Sequence, residues 1–225
     1  MNVYVLNYKN EKRKNNMLKR FHTAGIQPIF SEGKNYNGPP PDGDIDTRNW
    51  SIMLSHMEMI RLFYESGYEY SVICEDDIYI HKDFKILVED CIFNMEYFHF
   101  DIMLLGCLIE GPPYPGDCIG KSINRSELLS FYKYHESIWG AHCYLIKRCY
   151  AKHLLNYFNT PIDKYYSPDW IITKMTDKRS FVWPPLAIEE GEVATTDEAQ
   201  IDFHKRCTDF QINTLPFERY LSMKC

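Results

Sequence analysis

The run Tyr70-Ser71-Val72-Ile73-Cys74 passes straight into Glu75-Asp76-Asp77, and Ile78-Tyr79-Ile80 follows without a break. A short apolar run with β-branched residues reads as a strand buried in a sheet. Three carboxylates at its end repel one another. Flanked by apolar residues on both sides, they are poorly placed for a free surface turn; acids that simply solvate a loop are the plainer alternative. Buried acids need partners. In open α/β sheets the ligand crevice lies at the carboxyl ends of strands. The partner that carboxylate oxygens select there is a hard divalent cation, Mg²⁺ or Mn²⁺. The tripeptide therefore predicts a fold class and a place for chemistry together.

The remaining pattern agrees with an α/β sheet. Val3-Tyr4-Val5-Leu6 reads as a strand. Residues 11–23 read as a basic helix with Met17, Leu18 and Phe21 at helical spacing, stopped at Gly25, and 26–30 as a second strand. Helices are predicted from Trp50 to near Gly67, from Phe84 to Met95 and from Tyr150 to Phe158. Strands are predicted at Ile102–Gly106, Ala141–Ile146 and Phe181–Trp183. Two stretches rich in Pro and Gly, 31–48 and 110–124, read as loops and as candidates for acceptor recognition. The final stretch of roughly 35 residues is polar and weakly patterned. With no repeat and no linker, the expectation is a single domain over residues 1–225, an α/β fold whose central mixed, mostly parallel sheet is flanked by helices.

Composition removes several functions. The chain has 225 residues, with 25 Lys+Arg against 31 Asp+Glu and a formal charge of −6. An acidic chain without a basic block is a poor nucleic-acid binder. No apolar run approaches the ~20 residues of a membrane span, and the start lacks the charged region of a signal peptide. These features predict a soluble, cytoplasmic domain. Cys74, Cys91, Cys107, Cys143 and Cys149 sit in or just after apolar runs and are expected to be reduced core thiols. The Lys, Asn, Ile and Tyr bias fits an AT-rich genome such as that of a large DNA virus, which would place the chain in host cytoplasm or virion.

Leu54-Ser55-His56 followed by Val72-Ile73-Cys74-Glu75-Asp76-Asp77 resembles the pattern of glycosyltransferase family 25, the group of lipooligosaccharide and procollagen galactosyltransferases. Other segments line up in order. Val5-Leu6-Asn7 looks like the family's opening strand, with Arg13 as its following basic residue. Phe100-Asp101-Ile102-Met103-Leu104-Leu105-Gly106 looks like W-D-x-x-x-L-G, and Gly140-Ala141-His142-Cys143-Tyr144-Leu145-Ile146 like G-x-x-A-Y-x-x-S. Pro161-Ile162-Asp163 resembles P-V-D, and Trp183-Pro184-Pro185-Leu186 resembles Y-P-P-L. Ser51 and Ile52 stand where the family usually has Gly and Cys, and Thr196-Asp197-Glu198-Ala199-Gln200 approximates its S-D-x-x-Q.

The resemblance implies a GT-A-like nucleotide-sugar-binding fold. It implies a UDP-sugar donor carrying galactose or glucose, a Mn²⁺ (or Mg²⁺) cofactor, and a hydroxyl acceptor on a glycan or protein, with inversion. Expelling a diphosphate calls for a Lewis acid. Asp77 is the leading metal ligand, and Asp197 and His204 are candidates to complete the shell. For His204 the alternative is a surface histidine beside Lys205 and Arg206; for Asp197 it is a bond to a sugar hydroxyl. Glu75 or Asp76 would reach the metal through water or hold the donor ribose or sugar. Leu6, Asn7 and Tyr8 would lie against uracil and ribose. Arg13 would contact phosphate, or is one more charge on a solvated helix face. Ser55 and His56 are assigned to the donor side, with a core role as the alternative for His56. Inversion needs a general base: Asp163, with Asp169 as rival, although either can cap a helix instead. Trp139 and Gly140 would floor the acceptor site, or Trp139 is plain core packing. Glu189-Glu190 is a further acidic pair without a role. Two other functions compete: a carbohydrate- or nucleotide-binding relative without turnover, and a metal-dependent phosphohydrolase, which would call for more His and Asp in motif.

Overall fold

Continuous apolar runs in the central strands demand cover on both faces of a sheet, and the computed structural model supplies it. It describes residues 1–38, 46–122, 129–135, 138–159, 167–191 and 197–222. The elements in chain order are β1 (Asn2–Asn7), α1 (Glu11–Thr23), β2 (Ile29–Glu32), α2 (Thr47–Ser66), β3 (Tyr70–Glu75), β4 (Ile78–His81), α3 (Phe84–Tyr97), β5 (Ile102–Leu108), β6 (Cys118–Lys121) and β7 (Ser130–Lys133). They continue with β8 (Trp139–Lys147), α4 (Arg148–Phe158), α5 (Pro168–Lys174), β9 (Arg179–Trp183), β10 (Ala187–Glu189), α6 (Glu198–Thr214) and β11 (Tyr220–Leu221).

Eight strands form the main sheet in the order β2-β1-β3-β8-β5-β9-β7-β6. The sheet is mixed, as expected. Only β8 and β7 run against the other six strands, so strand direction is mostly common. The pairings are not mostly parallel, because β8 is wedged antiparallel between β3 and β5. One face packs Met17 and Phe21 of α1 with Phe84, Val88 and Cys91 of α3. The other packs Met53, Ile60 and Phe63 of α2 with Leu154 of α4 and Ile171 of α5. A second sheet, β10-β4-β11, is antiparallel. No described helix is long and apolar enough to cross a membrane.

Several expectations shift. The second strand begins at Ile29 rather than residue 26, and part of the 110–124 stretch expected to be loop forms β6, which pairs with β7. The polar tail forms the 17-residue helix α6. It carries no apolar stripe because the described residues it buries are Cys207, Thr208 and Gln211, and Gln211 Nε2 donates to the Cys107 carbonyl at 2.8 Å. Cys74, Cys91, Cys107 and Cys143 are buried free thiols as expected, whereas Cys149 is exposed because it falls on the outer side of α4's first turn.

Candidate active site

The reversed strand β8 builds the site. Running against β3 and β5, it brings its first residues to the edge where those strands end. Trp139 pairs with Leu108, and Cys143 lies opposite Cys74, one residue from both His142 and Glu75. A Cβ on Gly106 would fall 2.5 Å from His142 Nε2 and 2.6 Å from the Ala187 carbonyl, so glycine leaves the space that the imidazole fills. β10 closes the other side: Glu189 pairs with Ile78, and the Glu190 N–H donates to the Asp77 carbonyl at 2.7 Å.

The three acids have different surroundings. Asp76 accepts from Asn7 Nδ2 at 2.5 Å and from Arg13 Nη1 at 3.3 Å. Burial nevertheless raises its pKa, against the pull of Asn7 and Arg13. Asp77 Oδ2 receives Arg13 Nη1 at 3.2 Å, but Asp77 Oδ1 is buried with no hydrogen-bond partner. Burial, then the charges of Glu75 and Glu189, push the Asp77 pKa well above the usual carboxylate range; Arg13 offsets this only in part. Glu75 lies 3.4 Å from His56 Nε2, and His56 Nδ1 lies 3.1 Å from the Tyr144 hydroxyl. An ionised carboxylate only accepts, so the network assigns the His56 proton to Nε2, and the tyrosine donates to Nδ1. Burial works to raise the Glu75 pKa, but the His56 hydrogen bond, helped by the Arg48 charge, outweighs it, and the net shift is downward.

Further groups face the same space. His204 Nδ1 bonds Glu189 Oε2 at 2.7 Å. Burial opposes its charge, yet the Glu189 bond and charge raise its pKa overall. His142 is 4% exposed, its Nε2 has no partner, and burial lowers its pKa, which leaves it neutral at pH 7. Asp169 Oδ2 accepts the Gly140 N–H at 3.0 Å, and burial raises its pKa. Ser167 holds the α5 cap position, so Asp169 is turned toward Gly140 rather than capping.

Other expected residues lie elsewhere. Ser55 Oγ accepts the Lys34 N–H at 2.8 Å and donates to the Ser51 carbonyl, latching the chain after β2 onto α2. Leu6, although the register partner of Glu75 on β3, packs its side chain against the α2-side core. Tyr8 is exposed beneath the Lys9 ammonium. Asp197 is the exposed N-cap of α6, accepting from the Ala199 and Gln200 N–H groups. Asp163 lies outside the described residues. Among the described residues no group of three His, Cys, Asp or Glu is arranged to hold a metal by itself. A cavity of about 290 Å³ opens at the carboxyl ends of β1 and β2, lined by Asn7, Lys9, Glu11, Lys14, Phe30, Ser31 and Glu32, with Glu11 3.7 Å from the Lys14 ammonium.

Glu189 and His142 had signals that could have been read further. Glu189 ends the apolar run Leu186-Ala187-Ile188, as Glu75 ends its own, and His142 is a titratable residue inside the apolar run Ala141–Ile146.

No protein-family model matches the sequence, and no curated protein matches it. Among solved structures, the chain is similar to a glycosyltransferase involved in the glycosylation of the major capsid of PBCV-1, at 9% identity and a TM-score of 0.43, over 80% of this chain and 81% of that one. It is also similar to an apo UDP-glucose pyrophosphorylase, at 8% identity and a TM-score of 0.40, over 95% of this chain and 82% of that one. Likeness at this level assigns no role to any residue here.

Proposed function

We propose that this chain is a sugar-nucleotide-dependent glycosyltransferase with a GT-A-like layout, related to family 25. The carrying observation is Asp77 Oδ1, a buried carboxylate oxygen without a partner beside Glu75, Asp76 and Glu189. That environment fits a hard divalent cation. Asp77 would hold it, with His204 or Asp76 as further contacts and the donor diphosphate completing the shell. Such an ion supplies Lewis-acid neutralisation of the leaving diphosphate. The cavity beside Asn7 suits the nucleoside: Glu32 at the end of β2 accepts from ribose hydroxyls, as acids at strand ends do, and Lys9 and Lys14 face phosphate charge. Arg13 trades its acids for phosphate when the donor arrives. Glu75, kept ionised and oriented by His56 and Tyr144, accepts from hydroxyls of the transferred sugar. Asp169, whose raised pKa suits it to receive a proton, is the described base candidate, with Asp163 as the undescribed one.

The Arg13 bridge between Asp76 and Asp77 favours a second reading, a nucleotide-binding relative in which guanidinium replaces the metal. One experiment separates the two. The melting temperature is measured with UDP, with and without Mn²⁺, on wild type and Asp77→Asn. A Mn²⁺-dependent shift that vanishes in Asp77→Asn is expected. The same variant is expected to melt a few degrees higher than wild type without metal, because it removes a buried charge whose raised pKa costs stability as pH rises above the unfolded value. A UDP shift indifferent to Mn²⁺ selects the second reading, and no shift with any nucleotide defeats both.

A further inference from the structure

His142 is 4% exposed, and among the described residues its Nε2 has no hydrogen-bond partner. Buried polar groups are as a rule paired, because an unpaired one costs free energy. Packing holds this ring in place instead. Two glycines bracket it: a Cβ on Gly106 would lie 2.5 Å from Nε2, and one on Gly140 would lie 2.9 Å from Nδ1. Gly140 also has φ +101°, a conformation that strains other residues. The two ring nitrogens therefore meet different surroundings. Nε2 lies on the Gly106 side, where the Ala187 carbonyl would be 2.6 Å from the same Gly106 Cβ. Nδ1 lies on the Gly140 side, and the Gly140 N–H holds Asp169 Oδ2 at 3.0 Å.

The strand ladder sets an acid across from this ring. The antiparallel register of β3 and β8 runs unbroken from Tyr70 opposite Lys147 to Cys74 opposite Cys143, and its next step sets Glu75 opposite His142. Side chains at opposed positions leave the sheet on one face, with Cβ atoms about 4.5–5.5 Å apart. Glu75 has Oε1 3.4 Å from His56 Nε2, and its side chain stays partly exposed. The charges of Glu189, Glu75 and Asp169 all bear on the imidazole. Ionised carboxylates only accept. They favour the ring proton on Nδ1, the nitrogen on the Asp169 side, and leave a lone pair on the sealed Nε2; a buried N–H without an acceptor is the rarer orphan. The site then holds one neutral donor among its acids.

Building on the glycosyltransferase reading, we propose that His142 and Glu75 together read one hydroxyl of the transferred hexose, which donates a hydrogen bond to Glu75 and accepts one from the Nδ1–H of His142. A hydroxyl does both at once, whereas carboxylates alone leave its oxygen without a donor. A hexose that lacks or misplaces this hydroxyl leaves the buried donor unpaired, which is how such a site discriminates.

The test exploits two amides. Asn carries an N–H near the place of Nδ1, and Gln carries one near the place of Nε2. Binding of UDP, UDP-galactose and UDP-glucose is measured by titration calorimetry with Mn²⁺ on wild type, His142→Asn and His142→Gln. For at least one hexose, the ratio of the UDP-hexose Kd to the UDP Kd is expected to rise about tenfold in His142→Gln, the size of one lost hydrogen bond. In His142→Asn the ratio is expected to stay within about twofold of wild type, and the Kd of UDP itself is expected to hold in both variants. Imidazole ¹⁵N NMR of the wild type, with the His142 signal identified by its loss in His142→Asn, is expected to show a neutral ring protonated at Nδ1. A ring protonated at Nε2 and turned to the Ala187 carbonyl overturns the inference, and this reading does not depend on His142→Gln folding. A ratio unchanged in His142→Gln, or raised equally in His142→Asn, overturns it as well. Either result with UDP still bound removes the hydroxyl reader alone. No UDP binding on wild type removes the donor reading and this role with it.

Discussion

Arg13 and Arg20 stand two turns apart on the same face of α1, and both reach carboxylates, but they do opposite things. Arg20 is fully buried, and its Nη1 bonds Glu190 and the Ile78 carbonyl while the guanidinium lies 4.8 Å from the centre of the Tyr79 ring. Arg13 is 24% exposed and shares one nitrogen between Asp76 and Asp77 at 3.3 and 3.2 Å. The neighbouring glutamates repeat the division. Glu190 turns inward to the permanent cation Arg20, and Glu189 turns to the titratable His204. One basin is closed and pairs its charges one to one, although Arg20 Nε and Nη2 lie buried without hydrogen-bond partners. The other holds more acid than fixed cation, and the unpartnered atom there is a carboxylate oxygen, Asp77 Oδ1. The closed basin anchors α1 to β4, while the open one leaves charge for a ligand to meet.

The largest effect expected from this division is on Arg20. Arg20→Ala takes away the buried cation that Glu190 faces, and breaking a buried pair from one side costs roughly 3–5 kcal/mol. Urea unfolding should show a loss of that order, little changed by added salt, since buried pairs are weakly screened. Arg13→Ala is the counterpart. Its pairs are partly exposed, so the expected cost is below about 1 kcal/mol, while UDP affinity drops about tenfold and its salt dependence flattens. Equal stability losses in the two variants would erase the distinction between the basins.

The closed basin was harder to read from sequence than the open one. Glu75-Asp76-Asp77 announces itself because three acids interrupt an apolar run, and the structure puts them at the carboxyl end of a central strand, as the pattern predicts. Asn7, Arg13 and His56 are found against those acids. Arg20 carried no signal, since an arginine in a basic helix looks like any other solvated charge until the fold buries it. Glu189 and Glu190 were legible as acids but not as opposites, because alternation along β10 only acquires meaning once the strand's partners are known. The helix α6 was missed because a polar face sealed by hydrogen bonds, such as Gln211 to the Cys107 carbonyl, leaves no apolar period. The reversed direction of β8, which brings His142 and Gly140 to the acids, is a matter of topology and is not written in any local pattern.

The smallest effect sharpens the comparison most, because it asks whether the open basin is held by a charge that can be switched off. In the native state His204 has a raised pKa, the Glu189 bond and charge outweighing the burial that opposes its charged form. A histidine raised above its unfolded value, about 6.5, contributes stability that is fully present below that value and is lost as pH rises through the folded value. His204→Gln removes this contribution while keeping a side chain that can hydrogen-bond. In metal-free buffer, wild type should therefore exceed His204→Gln by up to about 1 kcal/mol at pH 5.5–6.5, the size of a partly exposed pair. The gap should narrow steadily toward pH 9. Arg20→Ala measured over the same range should show no such narrowing, because arginine keeps its proton throughout. A His204→Gln gap that widened with pH would mean that the histidine folds neutral, and the open basin would then lack the titratable cation that sets it apart from its closed neighbour.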